Sequence, residues 1–225
     1  MMVRPYTEIR EIDGPHSGQP VYATGEPLES ARAAAIFVHG RGASAPSILT
    51  LAAEFDAPGI VYLAPQAAGS TWYPNSFLAP VESNQPWLDS ALALLGALVE
   101  QVGQAGFPPK RVLLLGFSQG ACLASEFVAR NARRYGGLVA LSGGLIGPDG
   151  APRDYAGSLA GTPVFLGCSD VDAHIPAERV RHSAEVLAAL GGEVDMRLYP
   201  GMGHTVNQDE IDRVQAMLST LVKAG

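Results

Sequence analysis

The chain has 225 residues, 47% hydrophobic and 16% charged, a length that fits one larger α/β or β-barrel domain, or at most two small ones, with ample material for a buried core. Its 26 glycines and 17 prolines fall short of the roughly 25–30% at which a chain reads as low-complexity, which excludes a disordered or fibrous protein. Fifteen basic against twenty-two acidic side chains leave a net charge of −7, which repels phosphate backbones and argues against nucleic acid as a partner.

No apolar run approaches the roughly 18 residues of a membrane span. The opening Met-Met-Val-Arg-Pro-Tyr-Thr-Glu has no apolar core and no small-residue cleavage site, so no secretory signal is expected. Two cysteines, Cys122 and Cys168, are too few for a disulfide framework. A reduced, cytoplasmic protein is the expectation. The basic clusters Arg130, Arg133, Arg134 and Arg179, Arg181 fall in helical patterns and read as solvated helix faces.

In chain order, Tyr6–Ile12 alternates and predicts an antiparallel edge strand. Apolar runs follow at Ala34–His39, Gly59–Ala64, Arg111–Gly116, Gly137–Leu141 and Pro163–Gly167. They are continuous rather than alternating, as strands buried on both faces should be. Helical patterns lie between and after them, at Ser47–Phe55, Trp87–Val102, Gln119–Tyr135, Pro176–Leu190 and Gln208–Val222. The last strand, Glu193–Tyr199, alternates and suits a second sheet edge. Pro176 and the Asn207/Glu210 pair carry helix-start spacing, and Gly191–Gly192 a helix stop. The alternation predicts a single α/β domain over 1–225, a mostly parallel doubly wound sheet with helices on both faces and no large lid. Ligands bind such sheets beyond the carboxyl ends of strands, where the loops His39–Ala45, Ala64–Pro86 and Gly143–Gly161 lie.

Gly116-Phe117-Ser118-Gln119-Gly120 is a G-x-S-x-G motif. It directly follows an apolar run and directly opens an apolar-striped helix, the strand–turn–helix setting of a nucleophile elbow. The flanking glycines permit the tight turn that presents the Ser118 hydroxyl at a helix N-terminus. The alternative for Ser118 is a plain helix N-cap.

A serine hydroxyl needs a base to take its proton, and the expected chain order is Ser, acid, His. Of the histidines after Ser118, only His204 sits in a glycine-rich loop, Gly201-Met202-Gly203-His204, between the last strand and the last helix. His182 falls mid-helix, and His174 lies in a loop beside the acid candidates. The acid orients the imidazole. Asp170 and Asp172 both follow the Pro163–Gly167 strand in the loop where the acid is expected, and one of them is expected to reach His204. Spacing alone does not choose. Acyl transfer also needs backbone N–H donors for an oxyanion; Gln119 and, from His39-Gly40-Arg41-Gly42, Arg41 occupy the expected places.

With these residues assembled, the chain resembles the carboxylesterase/phospholipase branch of the α/β-hydrolases, which includes the acyl-protein thioesterases. The matching motifs are FVHGRG (37–42), LAPQ (63–66), GFSQG (116–120), ALSGG (140–144), DAHIP (172–176) and GMGH (201–204). The resemblance implies Ser118 as nucleophile, His204 as base, and Arg41 and Gln119 as oxyanion donors. It favours Asp172 over Asp170, because Asp172 stands four residues before Pro176 as the family's Asp-Pro-x-Val-Pro pattern asks. Ala173 replaces the usual proline, which keeps Asp170 in contention. The resemblance places Trp72 and Tyr73 in a loop lining the acyl pocket, and implies no cofactor and no metal. The expected activity is hydrolysis of a small-molecule ester or thioester through an acyl-enzyme on Ser118. An amidase or lactonase with the same triad, or a silent hydrolase-fold binding protein, are the alternatives. A homodimer is as compatible with the sequence as a monomer.

Overall fold

The continuous apolar runs form neighbouring strands of one sheet. The computed structural model describes residues 2–223. Its sheet has eight strands in the order β1-β2-β4-β3-β5-β6-β7-β8. The strands are β1 (Arg4–Ile9), β2 (Gln19–Gly25), β3 (Ala33–Val38), β4 (Ile60–Pro65), β5 (Val112–Phe117), β6 (Gly137–Leu141), β7 (Pro163–Ser169) and β8 (Glu193–Tyr199). From β4 to β8 every pairing is parallel; β2 runs antiparallel to β4 and β1 antiparallel to β2.

The helices are α1 (Ala45–Ile48), α2 (Trp87–Gln104), α3 (Gln119–Arg130), α4 (Ala177–Ala189) and α5 (Gln208–Lys223). Successive strand residues point to opposite faces. Along β5, Val112 and Leu114 therefore join the core under α2, α3 and α4, while Leu113 and Leu115 join the one under α1 and α5. Both faces need covering, and β3, β4 and β6 are buried along their whole length. Two layers of helix around a central sheet meet that need.

Four expectations are corrected. Strand β2 was not expected, although Gly18 and Gly25, both at positive φ, punctuate its β-branched and aromatic run Val21-Tyr22-Ala23-Thr24. The Tyr6–Ile12 strand ends at Ile9, where β2 pairs with it. The Ser47–Phe55 helix is a four-residue α1 followed by a 3₁₀ segment over Leu49–Glu54. There the Thr50 hydroxyl donates to the Ser47 carbonyl at 2.7 Å and competes with the regular ladder. Helix α3 stops at Arg130, where the Asn131 side chain donates back to the Phe127 carbonyl, so Arg133 and Arg134 lie beyond it.

Arg179 is the other departure. It is buried, not solvated, and its guanidinium donates to the carbonyls of Leu145 and Gly147 and to Asp149. It thereby holds the loop after β6 against α4. Among the described residues no helix is long and apolar enough to cross a membrane.

Candidate active site

At the end of β5 the chain must turn sharply into α3, and Ser118 makes that turn at φ 55°, ψ −121°. A non-glycine residue at positive φ is strained, and such strain concentrates at functional sites. The motif's glycines have a steric reason. A Cβ on Gly116 would lie 2.3 Å from the Gly120 carbonyl oxygen, and one on Gly120 only 2.1 Å from that of Val38. Without side chains at both places, α3 packs directly on β3 and β5.

Ser118 Oγ lies 2.9 Å from Nε2 of His204. On the other side of the ring, Nδ1 lies 2.7 Å from Oδ2 of Asp172. These three side chains come from the loops after β5, β8 and β7, all at the carboxyl end of the sheet. Rings of Phe117 and His174 sit 5.0 and 4.8 Å from that of His204 and restrict its tilt.

The Asp172 carboxylate is fully covered, and its Oδ1 accepts the amides of His174 (2.8 Å) and Ile175 (3.1 Å). Burial pushes its pKa up, but the hydrogen bonds from His204 and from those two amides outweigh burial and hold the carboxyl below its usual range. Asp170 faces elsewhere: its Oδ1 accepts the amide of Gly201 at 2.8 Å. The two aspartates thus divide the work, one meeting the histidine and the other fastening the loop that carries it. Ser169 adds a second tie, its hydroxyl accepting the amides of Val171 and Gly203. Nothing in the spacing marks Ser169 as a bridge between the two loops.

The amides of Arg41 and Gln119 border the same space, and neither donates to another group among the described residues. The Gln119 side chain is occupied differently: its oxygen accepts the Trp72 amide at 2.9 Å and its nitrogen donates to the Tyr73 carbonyl at 2.8 Å. His39 fixes the other donor's peptide, since its Nδ1 lies 2.8 Å from the Gly40 carbonyl oxygen. The Arg41 N–H, on the opposite side of that trans peptide, is directed away from His39.

His39 and His16 also accept consecutive amides, those of Ala67 and Ala68, each at 3.1 Å. Burial lowers the pKa of both, only partly countered by backbone hydrogen bonds, so both stay neutral and keep their acceptor nitrogens.

A cavity of about 550 Å³ opens beside Ser118 and is bordered by Tyr73, Phe77, Cys122 and Ile175 among others. Of the two aromatic residues placed at the pocket by the resemblance, Tyr73 borders this cavity and Trp72 does not. Trp72 is completely buried, donates its indole N–H to the His39 carbonyl at 2.7 Å, and packs on His39 and His16. Burial pushes the Cys122 thiol up to about 12, which leaves it protonated and a poor competitor to Ser118. His182 lies away from the site, beside Glu185. No group of three or more potential ligands is arranged to hold a metal ion among the described residues.

Asn207 and Glu210 form a full capping box at the start of α5: the Asn207 amide donates to Glu210 Oε2 and the Glu210 amide to Asn207 Oδ1, both at 2.9 Å. Glu210 is completely buried and its other oxygen has no hydrogen-bond partner among the described residues. That oxygen lies so near β7 that a Cβ on Gly167 would come within 2.2 Å of it. Burial pushes this carboxyl up to about 7, well above the 4.5 of a free one. Below pH 4.5 both states hold the proton and the stabilisation is complete. From there up to about pH 7 the native state alone retains it, so stability falls as pH rises, by on the order of 3 kcal/mol in total. Glu210→Gln should lose this dependence. Urea melts at pH 4.5 and 8.5 should show the variant gaining about 2–3 kcal/mol on the wild type across that span; a constant difference at both pH values would refute the assignment.

A mostly parallel eight-stranded sheet, helices on both faces, and a serine on a strand–helix elbow within reach of a loop histidine define an α/β-hydrolase. A family model described as phospholipase/carboxylesterase matches residues 21–222, and the chain belongs to that family of hydrolases. The crystal structure of a phospholipase/carboxylesterase from Dyadobacter fermentans superposes with a TM-score of 0.86 at 42% identity, covering 89% of this chain and 96% of that one. Acyl-protein thioesterase 1 of Gibberella zeae is 34% identical over 130 residues, which span 54% of this chain and about half (52%) of the relative. The Debaryomyces hansenii protein of the same name is 25% identical over 227 residues, covering 90% of this chain and 96% of its own length.

Proposed function

We propose that this hydrolase cleaves carboxylic esters or thioesters by a two-step acyl transfer in which Ser118 is the nucleophile, His204 the general base and Asp172 the acid that orients it. The observation that carries this reading is the unbroken hydrogen-bonded chain from Ser118 Oγ through both nitrogens of His204 to Asp172. His204 Nε2 takes the hydroxyl proton as Oγ attacks the acyl carbon. Asp172, held ionised by its own hydrogen bonds, accepts from Nδ1–H and stabilises the imidazolium.

Negative charge then develops on the former carbonyl oxygen. The Arg41 and Gln119 amides are the donors for it, and their lack of other partners supports that role. His204 returns the proton to the leaving alcohol or thiol, and the acyl group stays on Ser118. Water then enters, gives a proton to His204 and attacks the acyl carbon; the bond from that carbon to Ser118 Oγ breaks, His204 returns the proton to Oγ, and the acid leaves. No step calls on a cofactor. Cys122 and Cys168, unpaired and buried, suit a reducing compartment such as the cytoplasm.

The test combines p-nitrophenyl esters from acetate to palmitate with a fluorophosphonate probe. Turnover, together with a single labelled peptide containing Ser118, is the expected result. Absence of both turnover and label on the folded protein would overturn the proposal, as would label on another residue.

A further inference from the structure

The residues bordering the cavity include no aspartate or glutamate, although the chain carries a net charge of −7. Two carboxylates stand behind them, and both are buried and engaged: Asp172 is fully covered and spent on His204 and two amides, and Glu126, near Tyr73 and Cys122, pairs with Arg130 and Arg153. Arg41, by contrast, is exposed at the rim and pairs with no carboxylate among the described residues.

Its guanidinium is not loose. It donates to the carbonyls of Pro74 (2.9 Å) and Asn75 (2.8 Å), and it lies 6.0 Å above the Tyr73 ring. A guanidinium has five N–H donors in a fixed fork, so this tether leaves three of them for a ligand. The same cavity is bordered by His174, which is exposed beside His204 and whose imidazole makes no hydrogen bond among the described residues. The amino end of α3, beneath Ser118, adds the positive pole of a helix dipole. A positively biased basin thus lies in an otherwise acidic protein. Such a bias steers and holds anions.

We infer that the preferred substrates are anionic esters or thioesters, in which a carboxylate a few bonds from the scissile carbonyl meets the Arg41 guanidinium, with His174 as a second donor. This inference rests on the reading of Ser118 as nucleophile and adds to it the charge of the substrate. A neutral acyl chain of the same length fills the cavity equally well but leaves the guanidinium to water.

The test compares each anionic ester with its methylated, neutral twin, which differ by one methyl group, and reads each rate ratio against the same ratio for uncatalysed hydrolysis so that differences in leaving-group reactivity cancel. One arm carries the charge on the acyl side (mono-p-nitrophenyl adipate against its methyl ester). The other carries it on the leaving group (4-acetoxybenzoate against methyl 4-acetoxybenzoate). We expect kcat/KM to favour the anion by about 10–100-fold in one arm, the range of a charge-assisted hydrogen bond. That arm then locates the carboxylate.

Because the Arg41 amide is itself a proposed oxyanion donor, the readout for its variants is the anion-to-neutral ratio rather than absolute rate. The ratio should fall to about one in Arg41→Gln and largely return in Arg41→Lys. It should also shrink as salt rises from about 50 to 500 mM. Equal rates on charged and neutral twins, or a ratio unchanged in Arg41→Gln, would overturn the inference while leaving the hydrolase intact. Failure on every ester would instead strike the Ser118 reading itself.

Discussion

Replacing Ser118 with alanine is expected to lower kcat on p-nitrophenyl acetate by about 10⁴–10⁶-fold, the loss seen when the nucleophile of a cooperating triad is removed. The substitution deletes one oxygen and keeps the Cβ, so the strain at φ 55° is the same in both proteins. The fold should therefore survive, with a Tm within a few degrees of the wild type. His204 loses only the partner 2.9 Å from its Nε2 and retains Asp172. Measuring kcat beside a thermal melt separates lost chemistry from lost structure. A folded variant that keeps more than a tenth of the activity would remove Ser118 from the mechanism.

The second large effect divides the two aspartates. Asp172→Asn should reduce kcat by about 10³–10⁴-fold. An amide cannot offer acceptors both to His204 Nδ1–H and to the amides of His174 and Ile175. If it turns its nitrogen to the ring, it favours the tautomer that leaves Nε2 protonated and unable to serve as base. It also cannot stabilise an imidazolium by charge.

Asp170→Asn should reduce kcat by less than about tenfold, because one side-chain oxygen is all the Gly201 amide requires and asparagine keeps it. Its mark should be on stability, at about 1 kcal/mol, read from a urea melt. Equal losses of kcat in the two variants, or a larger loss at Asp170, would reverse the assignment.

Much of this site was legible before any coordinates. Ser118 could be found because an elbow needs small neighbours, and the glycines flanking it at Gly116 and Gly120 are there for want of space, not for flexibility. His204 could be found because a loop leaving a strand end is where ligands meet an α/β sheet. The acid could not be settled by spacing, since Asp170 and Asp172 share one loop. The Gly201 amide donates to the first and turns it aside, while His204 and the amides of His174 and Ile175 engage the second. The resemblance put both Trp72 and Tyr73 at the pocket, whereas the Trp72 indole N–H finds its acceptor, the His39 carbonyl, in the core.

Some roles left no pattern at all. His39 was visible as part of a His-Gly-x-Gly turn, yet that it holds the Gly40 carbonyl, and with His16 the amides of Ala67 and Ala68, depends on contacts up to 52 residues apart in the chain. Arg179 carries helical spacing typical of a solvated face, and it is buried because three acceptors from the loop after β6 converge on it. Strand β2 lay in a short segment whose pairing partners, β1 and β4, decide its state more than its own propensity does.

The order of elements from β3 onward, the strand–turn–helix elbow and the serine–histidine pair proposed as nucleophile and base were legible in the sequence alone, because periodicity, turn chemistry and steric demand act over a few neighbouring residues. Which aspartate meets the histidine, which aromatic ring faces the cavity, and the isolation of Arg41 as an unpaired cation at its rim were decided only by the tertiary structure. Each depends on hydrogen-bond partners that the fold brings from distant segments, and a polar side chain turns toward whichever partner satisfies it when water is excluded.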